Sequence, residues 1–346
     1  MNEVNRQWLL KQRPQGALSL EDFEYHEADM PEGELEPGAV LVRNVVFLCA
    51  PTMRNWMDPP GNSLYPSVSL GHPIMAPAVG RVVASAAPDL PVGSRVFTIS
   101  TWQDYAKIST SALRRPTLLA DGITFVEGMG RFGLNPMTAY FGLLEIGQPQ
   151  KGETLVVSGA AGSTGSTVAQ IGKIKGLTVI GIAGGKAKCD WLTGECGIDD
   201  AIDYKSEDVA ARLGQLCPDG IDVFYDNVGG DILQAAIDNM APFGRIVLCG
   251  QISSYDSSDS PEGPRNMMRL VYGAIRMQGF LCGHYAARFG EAVAALREWA
   301  AAGRLVHRED LRTGFENLPR AFSALFDGSN AGTLLVQVDD SASDTS

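Results

Sequence analysis

Residues 154–175 read TLVVSGAAGSTGSTVAQIGKIK, and this stretch decides the fold of the central part of the chain. It begins with the apolar run Leu155–Val157, which is typical of a buried strand in a parallel sheet. A glycine-rich turn follows, and apolar residues then recur at helical spacing across Val168–Ile174. A strand, a glycine-rich turn and a helix in this order predict a dinucleotide-binding unit, because glycines let the backbone approach a pyrophosphate and the first N–H groups of the helix bind it.

The spacing of the glycines leaves an alternative open. Gly159, Gly162 and Gly165 follow the pattern G-x-x-G-x-x-G instead of the common G-x-G-x-x-G. An ordinary connection between a strand and a helix can contain such glycines without binding a ligand. The turn therefore indicates a cofactor only together with other residues of the chain.

Length, charge and cysteine content narrow the class of protein. A chain of 346 residues is long enough for about two domains. Its net charge of −12, with no basic cluster, argues against nucleic acid and anionic membranes as partners. Its six cysteines include no C-x-x-C pair, so neither a zinc site nor a disulfide framework is indicated. Without a signal peptide or an apolar run of about 18 residues, the sequence predicts a reduced cytoplasmic protein.

The first part of the chain, up to about residue 125, differs from the centre. Proline and glycine recur every few residues there, and short β-rich runs lie between them at Ala39–Val46, Ala78–Ser85 and Arg95–Ile99. This pattern predicts an irregular, mostly β domain with few helices. The apolar, helix-like segment Thr138–Leu144 marks the entry to a second domain.

From Thr154 onward, strand-like and helix-like segments alternate. After the first strand, the predicted strands cover residues 178–183, 199–203, 221–225, 245–249 and 277–282. The predicted helices include residues 188–193, 208–216, 232–240 and 290–303. Such alternation predicts a doubly wound parallel sheet of the α/β class. The last β-like run, Leu334–Val338, is predicted to return to the first domain.

The residues after the second predicted strand bear on the choice of cofactor. Folds that bind NAD place an acid there, which accepts a hydrogen bond from the ribose 2′-hydroxyl. Here the strand ends in Ala183–Lys186 without a carboxylate, Lys188 follows in the next helix, and Tyr204 follows the third strand. A lysine and a phenol suit a 2′-phosphate, so these residues favour NADPH over NADH. The alternative is that Lys188 is an ordinary surface lysine.

Several motifs of the chain match those of one protein family. The chain resembles the medium-chain dehydrogenase/reductase superfamily, and within it the zinc-independent branch of prostaglandin reductases, plant alkenal double-bond reductases and bacterial curcumin reductases. The resemblance runs over nearly the whole chain. The matching stretches are MR at 53–54, WQDY at 102–105, TAYFGLL at 138–144, AAGSTG at 160–165, DNVGG at 226–230, CGQISSY at 249–255, QGF at 278–280 and GSNAG at 328–332.

The resemblance implies a fold and an assembly. It implies a GroES-like, mostly β catalytic domain made of residues 1–130 and 307–346, and a Rossmann cofactor-binding domain made of residues 131–306. The substrate cleft of the family lies between these two domains. The family is often dimeric through its Rossmann sheets, so we expect a homodimer in which the apolar strand Met277–Cys282 supplies the interface.

The resemblance also assigns NADPH as cofactor and gives roles to particular residues. The pyrophosphate is expected at Gly162, Ser163, Thr164 and Gly165, and the 2′-phosphate at Lys188 and Tyr204. Asn227 is expected to lie along the cofactor, and Asn330 to reach it from the C-terminal segment. The nicotinamide half is expected to be framed by two further segments, whose residues are Cys249, Gly250, Ile252, Ser254 and Tyr255 in the first and Phe280, Leu281 and Cys282 in the second.

No metal is expected. The zinc alcohol dehydrogenases of the superfamily need cysteine and histidine ligands, and His72 stands where their G-H-E motif lies. Pro73 replaces the glutamate, however, and Cys49 is the single cysteine of the first domain. Because zinc needs three or four protein ligands, we interpret His72 as structural.

Three differences from the family pattern concern the substrate. Thr52 replaces a tyrosine of the motif D-P-Y-M-R, GLNP at 133–136 replaces G-M-P-G, and His72 stands where the family has a small residue. All three lie in or near the expected substrate cleft. They leave the cofactor prediction intact and leave the individual substrate open.

The chemistry implied is reduction of a carbon–carbon double bond conjugated to a ketone or aldehyde carbonyl. Tyr255 is the best donor to the carbonyl oxygen, where enolate charge develops, since a neutral phenol donates a hydrogen bond at pH 7. Tyr65 is a second candidate with a weaker claim. Alternatively, Tyr255 only packs against the cofactor. Two other functions also stay open, a quinone or alcohol oxidoreductase on the same fold and a non-catalytic NADPH-binding protein.

Overall fold

The computed structural model describes residues 4–60, 67–109, 115–255 and 263–339. The chain divides into two compact units, one formed by Met1–Gly130 with Glu309–Ser346 and the other by Arg131–Arg308. The strands are β1 (Val4–Leu10), β2 (Phe23–Asp29), β3 (Ala39–Leu48), β4 (Met75–Ser85), β5 (Arg95–Thr101), β6 (Tyr105–Ser109), β7 (Thr117–Leu118), β8 (Thr154–Ser158), β9 (Thr178–Ala183), β10 (Asp200–Asp203), β11 (Ile221–Asp226), β12 (Met240–Leu248), β13 (Arg276–Gly279), β14 (Glu309–Thr313) and β15 (Thr333–Gln337). The α-helices are α1 (Phe125–Met129), α2 (Leu134–Phe141), α3 (Ser163–Lys175), α4 (Lys186–Gly194), α5 (Val209–Leu216), α6 (Gly230–Asp238), α7 (Met268–Tyr272), α8 (Phe289–Ala301) and α9 (Leu318–Asp327).

The second unit is built on a parallel sheet with the strand order β10-β9-β8-β11-β12-β13. From β8 the chain builds outward through β9 and β10, and then returns to place β11, β12 and β13 on the other side of β8. The α/β class with a doubly wound parallel sheet is therefore confirmed. Open sheets of this kind bind ligands at the carboxyl ends of the strands, at the point where the strand order reverses. Here the order reverses between β8 and β11, so the expected ligand site lies at the carboxyl ends of these two neighbouring strands.

The central strands are apolar because helices cover both faces of the sheet. Val156, Phe224 and Ile246, from three adjacent strands, are nearly fully buried in one core cluster. Residues of α5 and α6 join the same cluster, including Leu213 and Ala236. Burial on both faces explains why these strands show continuous apolar runs instead of alternation.

Two predicted element boundaries in this unit were wrong. The fifth strand begins at Met240, five residues before the predicted start, because its register with β11 shifts between Ile221 and Val223 and lets the strand pass through Phe243, whose φ is +63°. The sixth strand ends at Gly279, because Cys282 begins a 3-10 helix that covers Cys282–Arg288.

The first unit is mostly β. Its larger sheet has the strand order β14-β15-β3-β4-β5-β7, and β6 pairs with β3. The strand β15 lies between β14, which it pairs in parallel, and β3, which it pairs in antiparallel. The last strand thus returns to the sheet formed by the first part of the chain, as its apolar sequence predicts. None of the helices among the described residues is long and apolar enough to cross a membrane.

Candidate functional site

The glycine-rich turn lies at the carboxyl end of β8 and leads into α3. Gly159 has a φ of +57°, a conformation that L side chains rarely adopt, and the turn closes with a hydrogen bond from Gly162 N–H to the Gly159 carbonyl (3.0 Å). A Cβ atom on Gly165 would lie 2.3 Å from that same carbonyl oxygen. The first turn of α3 therefore packs directly on the backbone of the glycine-rich turn, which only glycine at position 165 permits.

The amino end of α3 has the properties of an anion site. Gly162 is the N-cap residue and provides no side-chain cap, and the first turn contains no acidic residue. Ser163, Thr164 and Gly165 form this first turn, and the N–H groups of a first turn are the ones that an α-helix presents to an anion. A helix of 13 residues adds the favourable potential of its amino end, so a phosphate group fits here.

A second candidate anion site lies at the carboxyl ends of β9 and β10. Tyr204 covers the turn after β9, since a Cβ atom on Gly184 would lie 2.9 Å from its ring atoms. Burial, followed by the positive charge of Lys205, lowers the pKa of Lys188. Two lysines that repel each other are stabilised by a bound anion, so the arrangement fits a phosphate. Lys205 was missed in the sequence, although it directly follows Tyr204.

An acid does stand near this turn, but it has a structural role. Asp203, at the end of β10, accepts hydrogen bonds from the N–H groups of Gly185 (2.7 Å) and Lys205 (3.0 Å) and from the Ser206 hydroxyl (3.1 Å). These backbone hydrogen bonds are the main cause of the lowered pKa of Asp203. The carboxylate thus fixes the backbone that presents Lys205 and the turn before α4.

The residues that follow β11 and β12 lie together at the carboxyl ends of the strands, on the same side of the sheet as the glycine-rich turn. Asn227 donates its side-chain amide to the Ser158 carbonyl (2.7 Å), which holds it beside the glycine-rich turn. The N–H groups of Cys249 and Gly250 donate to the carbonyl of Asp226 (2.9 and 3.1 Å). The structure thus brings together the segments that follow β8, β11 and β12, which the sequence had connected only through the family resemblance.

Tyr255 is fixed by the backbone of its own loop. A 3-10 turn over Ile252–Ser254 brings Tyr255 back toward Gln251, whose N–H donates to the phenol oxygen (3.1 Å). The side chain is half-buried. The accepted N–H bond fixes the position of the phenol oxygen within the loop, and a phenol can both accept and donate a hydrogen bond.

The segment after β13 packs against α2. A Cβ atom on Gly142 would lie 2.4 Å from Cζ of Phe280 and 2.6 Å from the hydroxyl oxygen of Tyr225, so these two rings meet over the glycine. Leu281 is half-buried and Cys282 is buried. Burial raises the pKa of Cys282 to about 11 and that of Cys249 to about 12. Both thiols are protonated at neutral pH, so neither serves as a nucleophile.

Some of the predicted residues belong to the first unit. Asn330 follows α9 there, and its side-chain amide donates to the Gly332 carbonyl (3.1 Å). Thr52 lies in the 3-10 helix Pro51–Met57 and is half-buried. His72 is exposed, with its Nδ1 3.2 Å from the Leu70 carbonyl. Tyr65 lies outside the described residues. Across residues 4–60, 67–109, 115–255 and 263–339, no cluster of three or more His, Cys, Asp or Glu side chains could hold a metal ion.

Comparisons with known families match both parts of the chain. A model described as the N-terminal domain of oxidoreductase matches residues 6–115. A second model, described as zinc-binding dehydrogenase, matches residues 163–298. The second match begins at Ser163, at the end of the glycine-rich turn, and includes Lys188, Tyr204 and the loops after β11 and β12.

Individual proteins are similar over almost their full length. The NADPH-dependent curcumin reductase of Escherichia coli (strain K12) is 39% identical over 342 residues, which are 96% of this chain and 97% of that protein. The 2-alkenal reductase (NADP(+)-dependent) of Nicotiana tabacum is 36% identical over 340 residues, which are 96% of this chain and 97% of that protein. The crystal structure of CurA from Vibrio vulnificus in complex with NADPH is 38% identical, has a TM-score of 0.89, and covers 97% of this chain and 99% of its own.

Proposed function

Because the chain belongs to the zinc-independent branch of the medium-chain dehydrogenase/reductase superfamily, with its Rossmann and GroES-like domains, we propose that it reduces the carbon–carbon double bond of α,β-unsaturated ketones and aldehydes with NADPH. The chain is an NADPH-dependent oxidoreductase of the prostaglandin, alkenal and curcumin reductase group. The observation that carries the finer proposal is the position of the Tyr255 phenol, whose oxygen accepts the Gln251 N–H in the loop that follows β12, at the carboxyl end of the sheet where the glycine-rich turn also lies.

The residues of the second unit fit NADPH. The amino end of α3, with Ser163, Thr164 and Gly165, suits the pyrophosphate because its N–H groups point outward and no acid opposes a negative charge. Lys188, which lies near Lys205, suits the 2′-phosphate by charge, and Tyr204, whose ring covers Gly184 in the turn before the same helix, suits it by hydrogen bonding. When bound, NADPH supplies a hydride for the β-carbon of the substrate.

The role of the protein is to orient the substrate and to stabilise charge. Reduction at the β-carbon moves negative charge onto the carbonyl oxygen, and a neutral phenol can donate to that oxygen without itself ionising. The Gln251 N–H keeps the Tyr255 oxygen in place, so the donor is already oriented before the charge develops. We assign Tyr255 as the catalytic residue, Tyr65 as a weaker candidate, and Asn227, Cys249, Gly250, Ile252, Ser254, Phe280, Leu281, Cys282 and Asn330 as cofactor-binding residues.

The test is a substrate screen in which NADPH oxidation is measured with an α,β-unsaturated ketone, an α,β-unsaturated aldehyde, a quinone and the matching saturated ketone. We expect turnover with the enone and the enal and none with the saturated ketone. Product analysis should find the saturated carbonyl compound. Turnover with the quinone alone would establish the quinone oxidoreductase, and the absence of turnover with every compound would leave a non-catalytic NADPH-binding protein.

We also propose that the protein is a homodimer that pairs through the second unit. The strand β13 ends the parallel sheet among the described residues and pairs there only with β12. Beside it lies an edge patch of three apolar side chains, Phe243, Val271 and Tyr272, which are 76%, 66% and 86% exposed. An open sheet edge next to exposed apolar side chains suits a second copy of the same surface, related by a two-fold axis.

The dimer is tested by adding charge to the edge patch. Tyr272→Asp should convert the dimer to a monomer, because two copies of the new carboxylate would be desolvated at the interface. The measurement is the molar mass by light scattering during size exclusion at micromolar concentration. Val92→Asp, at a position 65% exposed in the first unit, is the matched control and should remain dimeric. A monomeric mass for the unmodified protein would rule the dimer out.

A further inference from the structure

A buried carboxylate lies directly beneath the candidate cofactor site. Asp226 ends β11 and is only 1% exposed. One of its oxygens accepts a hydrogen bond from the Ser158 hydroxyl (2.7 Å) and from the N–H of Val228 (3.0 Å), and the N–H of Gly229 donates to both oxygens (3.1 Å each). The donors are all neutral groups that belong to the backbone or to a hydroxyl.

Ser158 connects this carboxylate to the glycine-rich turn. Its hydroxyl oxygen accepts the N–H of Asn227 (2.8 Å), and its carbonyl accepts the side-chain amide of Asn227 (2.7 Å). The next residue along the chain is Gly159, where the turn begins. The ring of hydrogen bonds among Ser158, Asp226 and Asn227 therefore fixes the starting points of two loops relative to each other, one after β8 and one after β11.

The same residue also holds the third loop of the site. The backbone carbonyl of Asp226 accepts the N–H groups of Cys249 and Gly250, which begin the loop that carries Tyr255. Asp226 thus contacts all three loops of the site. Its side chain holds the loops that follow β8 and β11, and its backbone carbonyl holds the loop that follows β12. These three strands are adjacent in the sheet, and their carboxyl ends form the edge at which the cofactor is proposed to bind.

A carboxylate is a costly residue at this position. Burial raises the pKa of Asp226 despite the hydrogen bonds that it accepts, so the folded protein bears a desolvation penalty there. The neighbouring positions of β11 hold apolar or aromatic side chains, among them Phe224 and Tyr225, which are fully buried without such a penalty. A buried acid that fixes loops beside a ligand-binding site is expected where the geometry of that site matters more than the stability of the fold.

We propose that Asp226 is a positioning residue for NADPH: with Ser158 it fixes the glycine-rich turn and Asn227 in the arrangement that binds the cofactor. This inference rests on the proposed function, which assigns the pyrophosphate to that turn. Asp226 acts through Ser158, Asn227 and the backbone, and it does not itself contact the cofactor. An amide at position 226 would turn an N–H group toward the N–H of Gly229, so the carboxylate is required chemically as well as by size.

The experiment compares two aspartates of the same strand. Asp226→Asn should weaken NADPH binding about tenfold, measured as Kd by cofactor fluorescence, because the amide nitrogen facing the Gly229 N–H disturbs the side-chain contacts that fix Ser158 and the loop after β11, while the backbone carbonyl that holds the loop after β12 stays in place. Asp222→Asn is the matched control: Asp222 is the second residue of the same strand and accepts the N–H of Thr154 in β8 (2.8 Å), so it joins the same two strands at their amino ends. The control should keep its NADPH affinity, even if both variants lower the melting temperature.

A second variant keeps the proposal testable if the Asp226→Asn protein does not fold. Ser158→Ala keeps the carboxylate and removes the hydroxyl between Asp226 and Asn227, and it should raise the Kd for NADPH and the KM for NADPH with a smaller change in kcat. If both residues act as one unit, the double variant loses less affinity than the product of the single losses. Folded variants at both positions with the NADPH affinity of the unmodified protein would overturn the proposal. If Lys188→Ala also left NADPH affinity unchanged, the proposed cofactor site itself would be wrong, so the two failures are distinguishable.

Discussion

Replacing Lys188 with alanine should weaken the binding of NADPH by about 10- to 150-fold and leave the binding of NADH nearly unchanged. The reason is that only NADPH carries a 2′-phosphate, and a hydrogen bond between charged groups contributes about 1.5–3 kcal/mol. Lys188 is half-buried, and the positive charge of Lys205 lies near enough to lower the pKa of Lys188, so a phosphate here would interact with two positive charges. The measurement is the pair of dissociation constants for NADPH and NADH in both proteins.

Lys186 provides the control for this prediction. It begins the same helix, its side chain is 84% exposed, and it forms an ion pair with Asp190 (2.7 Å). Lys186→Ala removes the same charge from the same helix end, and its effect on NADPH binding should be small, because exposed charges contribute little. Equal losses of NADPH and NADH affinity in the Lys188 variant would contradict the assignment of the phosphate to this site.

Replacing Tyr255 with phenylalanine should lower kcat for an enone by about 10- to 100-fold while the Kd for NADPH stays nearly the same. A hydrogen bond to the carbonyl oxygen strengthens as charge develops in the transition state, so its loss appears in kcat. Removal of one such donor commonly costs about 10²–10³ in kcat. We expect the low end or less, because a ribose hydroxyl of the cofactor can share the role.

The Tyr255 variant separates the two roles considered for the residue. Phenylalanine keeps the ring, so a residue that only packs against the nicotinamide would keep its rate. Tyr25→Phe removes a hydroxyl from a side chain that is 42% exposed in the first unit, and it should leave both constants unchanged. An unchanged kcat in the Tyr255 variant would exclude the catalytic role, whereas a large loss of NADPH affinity would make Tyr255 a cofactor-binding residue.

The fold of the second unit was largely predictable because its strands can be recognised in the sequence as apolar runs. An apolar run such as Val156 with its neighbours, followed by glycines and a helical repeat, has few alternative structures. The start of β12 was not predictable, because Pro242 and Gly244 are typical of a loop. A shift in register with β11 and the positive φ of Phe243 accommodate them within the strand, and both depend on neighbours that are distant in the sequence.

The sequence predicted which types of residue form the candidate site, but it did not predict which of them contact each other. Lys188 and Tyr204 could be proposed from chemistry and from the resemblance. The hydrogen bond of Ser158 to Asp226 spans 68 residues, and no local pattern indicates that a serine ending one strand contacts an aspartate ending another. Lys205 was missed for the same reason, since its effect on Lys188 depends on the pairing of β9 with β10.

The position of β15 has a consequence for biosynthesis. This strand lies between β14 and β3 in the sheet of the first unit, yet it leaves the ribosome after more than 330 other residues. The second unit is one continuous segment, so it emerges whole and can fold while translation continues. Until Thr333–Gln337 appears, the part of β3 that pairs with β15, residues 46–48, keeps an open hydrogen-bonding edge. The sheet of the first unit is therefore completed only after the whole second unit has been made, so the unit that begins first is completed last.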